Sequence, residues 1–446
     1  MTRLTRPVRK MRFATALYQF RESLFALPTL VALAGLILAE VTARVDGLVG
    51  DDTRLPLTVQ MNSDSASWLL STVAGATITT AGVVFSLTVV SLQLASSQFS
   101  PRVMRWFIRD RLSQVMIGLL VATFVFCVLA LRHISGEPTA DAPRMLMTLA
   151  IVLAVATVLL IIAYLNRLAR GLQVGEVVRN ISAEAEAVIY AIARQAQQET
   201  PVRNVPSAAD DGRLTIRVRR NGWVTQAPST VILGAVPAST VVRLETRTGA
   251  YIHRGEVLMS IWPMPADPER VTAELLSTVE VADVRTMQQD IDFGIRQLVD
   301  IALRALSSAI NDPTTATEVV LRLGSLLRTL LASEVPPSSV VGPDGRVLLR
   351  PWTLSHDEYI AHAFDQIRQT CISQPHVVTA LLRVLRILIA HARTVGQDRH
   401  IPALRNQIRR LMDATMADPN IHPDDLARIQ KISRESEADP AEHDIG

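Results

Sequence analysis

Any chemistry in this chain has to be done almost without lysine. Arginine supplies 43 of the 45 basic residues, because only Lys10 and Lys431 are lysines and neither sits in a motif. A P-loop NTPase, a protein kinase, a Schiff-base enzyme and a biotin or lipoyl carrier each need a placed lysine, so all four are excluded. The two cysteines, Cys127 and Cys371, lie far apart and leave no CxxC metal site and no disulfide framework. His356, His362, His376, His391 and His400 fall in one stretch but form no HExxH and no zinc spacing, and read as surface or capping residues. The acidic residues with the most informative spacing are Asp290, Asp292, Asn311 and Asp312, which together could hold a ligand or ion. A plainer reading competes. Asp292, Arg296, Asp300 and Arg304 follow one another at i, i+4 as a solvated charge ladder, and Asp312 before Pro313 is a helix N-cap. The run Asp290-Ile291-Asp292-Phe293-Gly294 departs from the haloacid-dehalogenase pattern after its second aspartate. With no GxSxG, no GxGxxG and no paired catalytic carboxylates in a known motif, neither an enzyme nor a cofactor or metal is expected.

The other informative polar residues lie inside an apolar stretch. From Leu70 to Ser100 there is no charged residue, yet hydroxyls and amides are frequent. On a helix they divide into two opposed stripes. Thr77, Thr80, Thr88, Ser91 and Gln98 form one, and are the candidate lining of an aqueous path through an oligomer. Gly75, Thr79, Gly82 and Ser86 form the other, with Gln93 and Ser97 continuing it, and are the candidate small-residue face for packing against a neighbouring helix. Both stripes could equally be buried between helices, so the choice between water and protein stays open. Pro101 then breaks the helix, and Arg102, Arg105, Trp106 and Arg109 mix cations with an aromatic as an interfacial anchor touching anionic headgroups.

These residues must be positioned by a membrane protein. About half of the 446 residues are apolar (49%) and mean hydropathy is +0.25. The apolar residues are bunched into the first 170 positions. Four stretches, Leu27 to Ala43, Leu69 to Leu94, Val115 to Leu131 and Met145 to Leu165, approach the ~20 residues that cross ~30 Å of hydrocarbon. Arginines crowd the N-terminus, the second-to-third loop and the segment after the fourth span, whereas the other two loops are acidic or sparse. The positive-inside rule then puts both termini in the cytoplasm. The basic start is long for a cleavable signal, and Phe13, Leu17, Phe20 and Leu24 give residues 1–25 the pattern of an amphipathic helix on the membrane surface.

The expected fold is therefore an α-helical membrane protein with four transmembrane helices, 26–170, plus a cytoplasmic α+β region. Residues 171–212 read as a helical stalk and linker. The β-branched and alternating runs of 213–265, with turn signals at Asn221-Gly222, Thr248-Gly249 and Arg254-Gly255, read as a small β module. Its Gly249 phrase resembles half of a barrel-sandwich domain, but the carrier lysine is missing. Residues 266–432 are mostly helical, with a hairpin near 336–352 around Gly342-Pro343-Asp344-Gly345, and 433–446 form an acidic disordered tail.

Three blocks resemble one family: GATITTAGVVFSLTVVSLQLASSQFSPR, the Gly249 phrase, and QQDIDFGIRQLVDIALRALSSAINDPTTA. The chain is similar over nearly its whole length to bacterial predicted membrane proteins grouped as domain-of-unknown-function family 2254. That resemblance implies a multi-pass inner-membrane protein and transfers no catalytic residue. The function expected first is an oligomeric channel or transporter subunit for ions or small polar solutes, its second span lining the path and its cytoplasmic module regulating it. The alternative is a non-conducting scaffold or sensor whose cytoplasmic domain binds a protein or ligand. Expected partners are the lipid bilayer and further copies of the chain, and not nucleic acid.

Overall fold

A computed structural model describes residues 26–49, 58–98, 102, 111–134, 141–171, 173–202 and 212–437. The N-terminal amphipathic segment, Arg105, Trp106, Arg109 and the tail beyond 437 lie outside the described residues. The chain divides into two compact units, one within Phe13–Gln173 and the other running from Val174 onward.

The first unit is helical. Its elements are α1 (Ala26–Val49), α2 (Ser63–Gln98), α3 (Arg111–Leu131) and α4 (Arg144–Gly171). Helix α3 is the centre of the bundle and packs against the other three. Close approach of α1 and α3 depends on two glycines: a methyl group at Gly35 would lie 2.8 Å from Ala122 Cβ, and one at Gly118 would lie 2.9 Å from Val31 Cβ. Small residues let transmembrane helices gain van der Waals contact where no hydrophobic effect drives association. At one end of the bundle Asp46 accepts hydrogen bonds from the Met145 and Leu146 amides at 3.0 and 2.9 Å, satisfying two donors of the first turn of α4.

The second unit combines helices with two small sheets. It opens with α5 (Val174–Gln197), then β1 (Thr200–Pro201), β2 (Leu214–Arg217), β3 (Gly222–Gln226), α6 (Ser229–Gly234), β4 (Val241–Leu244), β5 (Tyr251–Ile252), β6 (Val257–Trp262), α7 (Pro268–Leu276) and β7 (Glu280–Ala282). Helices α8 (Ile291–Ala305) and α9 (Pro313–Leu331) follow, then the hairpin β8 (Ser339–Val341) and β9 (Val347–Leu349). The chain ends in α10 (His356–Thr370), α11 (Pro375–Thr394), α12 (Ile401–Ala417) and α13 (Pro423–Glu437). One sheet has the order β1-β8-β9-β4-β6-β2 and the other β5-β3-β7. The core between them is built from Ile216, Val224, Ile232, Val242, Met259, Ile261 and Leu348, all essentially buried.

Several boundaries differ from the sequence expectation. Five helices among the described residues, rather than four, are long and apolar enough to cross a membrane. The fifth, α11, has ten residues buried within the second unit, because its apolar stripe packs on α9 and α13. The stretch expected as a stalk is α5, whose Val177, Ile181, Ala185 and Ile189 are buried against α8 and α9, so it belongs to the core of the second unit. The linker begins as strand β1, paired with β8. The β module does not end at 265: the 336–352 hairpin forms, and β9 joins the sheet by pairing parallel to β4. Helix α13 continues to Glu437, past the expected start of the tail.

Candidate functional site

In the first unit the two stripes of α2 differ in what they meet within the single chain. Thr77 is 6% exposed and donates to the Val73 carbonyl at 2.8 Å. Thr88 is half-buried, donates to the Val84 carbonyl, and lies 2.7 Å from the Tyr164 hydroxyl of α4. Thr80 and Ser91 are half-buried and bonded back to Ala76 and Leu87. Thr77 and Thr88 thus pack within the same chain, and the side chain of the fifth member, Gln98, lies outside the described residues. Gly75, Thr79, Gly82 and Ser86, expected to pack, are exposed, and a methyl group at Gly75 or Gly82 would meet nothing within 4 Å. The small-residue contacts that do form set Gly35 against Ala122 and Gly118 against Val31. Of the expected interfacial anchor, Arg102 is described and is exposed.

The second unit gathers charge around Arg285, which lies in the loop between β7 and α8. Arg285 Nε donates to Asp290 Oδ2 at 2.6 Å, and Nη2 donates to Asp290 Oδ1 at 3.1 Å and to Asp292 Oδ2 at 2.8 Å. Its guanidinium also lies 5.4 Å from the ring centres of both Trp223 and Phe293. Asp290 is the N-cap of α8, accepting from the Phe293 amide. Asp292, expected on a solvated ladder, is 2% exposed; His362 Nδ1 on α10 lies 2.7 Å from Oδ1, and Arg296 Nε is 3.4 Å away. Burial would raise the Asp292 pKa, but the hydrogen bonds from His362 and Arg285 outweigh it and hold this carboxylate well below its usual range. At Asp290 burial dominates and pushes the carboxyl up, against the pull of Arg285.

Gly249 shows why the β phrase and the Asp290 block belong together. It adopts φ +82°, and a methyl group there would sit 2.6 Å from the Asp290 carboxyl carbon and 2.8 Å from Arg285 Nη2. Only glycine leaves the ion pair its space. Gly294, next in the same block, lets α5 approach: its absent Cβ would lie 2.7 Å from Ala185 Cβ.

Asn311 and Asp312 are not part of this cluster, since they lie beyond the other end of the 15-residue α8. Asp312 caps α9, its pKa lowered by hydrogen bonds from the Thr315 hydroxyl and then the Thr315 amide, and Asn311 Oδ1 accepts from Gln374. Of the five histidines, His356 and His400 differ from the surface expectation. His356 is buried, its Nε2 within 3.2 Å of the Leu330 and Ser333 carbonyls, and its ring lies 4.6 Å from that of His400, whose Nδ1 is 2.6 Å from Asp357. No group of three metal-ligating side chains occurs among the described residues.

Beside the Arg285 cluster is a cavity of about 90 Å³, lined by Arg247, Gln289, Asp290, Arg350 and Tyr359 among others. Arg350 closes one wall through Glu199, donating to Oε2 at 2.6 Å, and Ser229 and Gln195 bond to the same carboxylate. Tyr359 is held protonated by burial and by Asp290 and Asp292 nearby, so its hydroxyl remains a donor. Arg247, Arg285, Arg350, Tyr359 and His362 had no marked spacing in the sequence. Their one indirect signal was that the Gly249 phrase and the Asp290 block, remote in sequence, are the two parts of the second unit that carry the family resemblance.

Comparison with known proteins agrees with that resemblance. A family model described as "Predicted membrane protein (DUF2254)" matches residues 21–387. Uncharacterized proteins of Mycobacterium bovis and of Mycobacterium tuberculosis are 32% identical over 338 residues, 74% of this chain. The chain spans 64% of the length of these relatives. No solved structure matches.

Proposed function

Because the chain belongs to the DUF2254 family of predicted membrane proteins, we propose that it is a multi-pass bacterial inner-membrane protein that does not conduct, and that its second unit is a cytoplasmic binding or sensing module. Four spans, α1 to α4, with both termini inside, fit the arginine distribution. The observation that carries this reading is the packing of Thr77 and Thr88 against their own chain: the hydroxyls that would have lined a path are spent on Val73, Val84 and Tyr164. The polar investment is instead in the second unit, where a buried ion-pair network borders a cavity.

A second reading has its own support. Gly75, Thr79, Gly82, Ser86 and Gln93 are exposed on an apolar helix, and polar groups at membrane depth need protein or water. In an oligomer this stripe, rather than the Thr77 stripe, would line a conduit. Purified protein in lipid vesicles decides between them. We expect potassium, chloride and small-solute leakage equal to that of protein-free vesicles. Protein-dependent leakage that a thiol reagent blocks in a Thr79→Cys variant would replace the sensor reading with the channel.

A further inference from the structure

We propose that the cavity beside Arg285 is a binding site for one small oxyanion, a carboxylate or phosphate group, with Arg247 as its charge partner. The inference rests on reading the second unit as a binding module and names what that module binds.

The argument is an inventory of donors and acceptors. Arg247 is half-buried in the turn after β4, and its one hydrogen bond goes to the Thr248 carbonyl at 3.2 Å; no described carboxylate pairs with it. Gln289 accepts from the Ala227 amide through Oε1, which fixes its orientation and leaves its NH2 without a partner. The Tyr359 hydroxyl has no hydrogen bond to a described residue, although the side chain is buried and lines the cavity. Arg350 is 8% exposed, and its Nε is a buried donor with no partner, while its Nη atoms are committed to Glu199 and the Pro337 carbonyl. The one carboxylate in the lining, Asp290, is already occupied, both oxygens accepting from Arg285.

The cavity therefore offers unused donors and one uncompensated cation, and its acceptor is already committed. Its complement is a group that only accepts and carries negative charge. A volume of about 90 Å³ is the space of about three waters at ~30 Å³ each. That suits a carboxylate or phosphate group and excludes a nucleotide. A divalent cation is less suitable, since Asp290 in the lining and Asp292 behind it already pair with Arg285, and Asp292 also with Arg296.

Isothermal titration of the full-length protein in detergent, at ionic strength held constant with chloride, tests this with acetate and inorganic phosphate as separate probes. One saturable site per chain is expected for at least one probe, and which of them binds tells planar from tetrahedral recognition. Arg247→Ala should weaken that binding at least tenfold, with Arg247→Lys falling between. Tyr359→Phe keeps the ring and should weaken it several-fold, which provides a second reading if Arg247→Ala misfolds. Absence of saturable binding by either probe, or equal binding by the wild type and both the Arg247→Ala and Tyr359→Phe variants, overturns the proposal. Neither result depends on vesicle leakage, so this proposal and the non-conducting reading fail separately.

Discussion

Arg285 holds two carboxylates that are one residue apart in sequence, and a helix N-cap makes this possible. Asp290 stands before the first turn of α8 and Asp292 within it, so both side chains reach one guanidinium. Removing one member of a buried pair leaves an uncompensated charge, which typically costs about 3–5 kcal/mol. Asp292→Ala should therefore lower the stability of the second unit by about 3 kcal/mol, read from chemical unfolding followed by Trp fluorescence. A loss below about 1 kcal/mol would mean the network is only a surface ion pair in energetic terms. His356 gives a pH dependence with a definite sign. Burial, with His400 and Arg399 adding positive charge, lowers its pKa in the fold. The unfolded chain, with a histidine pKa of about 6.5, then binds more protons than the folded one below that pH. Stability should be fully present above about pH 6.5 and decline as pH falls through the window between the two pKa values. In His356→Gln that part of the slope should vanish; an unchanged slope between pH 5 and 6.5 would assign it to other groups. Cys371 is buried, its thiol pushed up to about 12, so it should resist thiol reagents in the folded protein.

At the scale of elements, the membrane helices show how periodicity and packing part company. The hydroxyl stripes of α2 were legible in the sequence, but which one faces protein depends on how α3 and α4 approach it, and a single helix carries no such information. The glycine contact between α1 and α3 did leave a trace: Gly35 and Ala39 in α1, and Gly118 and Ala122 in α3, are small residues four apart. Leucine at Gly118 should force these helices apart and lower the melting temperature of the detergent-solubilised protein by several degrees. Leucine at Gly75, where a side chain meets nothing within 4 Å, should leave it unchanged; the reverse ranking would contradict this bundle. In the second unit, Gly249→Ala combines φ +82° with a collision against Asp290. A cost of about 1–3 kcal/mol follows, measurable in the same unfolding experiment. The hairpin of β8 and β9 was readable from Gly342-Pro343-Asp344-Gly345, whereas its parallel pairing with β4, about a hundred residues earlier, was not. Local turn chemistry is written in adjacent residues; sheet order is set by long-range burial.

At the scale of the molecule, the described residues form one unit of apolar helices and another of nine helices and nine strands that holds a buried ion-pair network. A reporter enzyme active only in the cytoplasm, fused after Gly446, should be active if both termini lie inside; inactivity would invert the arginine-based orientation. What the sequence by itself determined was the kind of protein: apolar run lengths, arginine placement and the scarcity of lysine depend on composition along the chain, and these decide membrane insertion and excluded chemistries without reference to any contact. The helix cap at Asp312 and the turns at Gly222, Gly249 and Gly255 were likewise local. Only the tertiary structure decided that Asp292 is buried and Asp312 is not a partner, that Arg285 and His362 meet around Asp292, that α5 is core and not stalk, and that Thr77 and Thr88 of α2 pack within their own chain. Each of these is a statement about which distant surfaces are pressed together. Burial is a property of pairs of elements, and no spacing within one element encodes its partner.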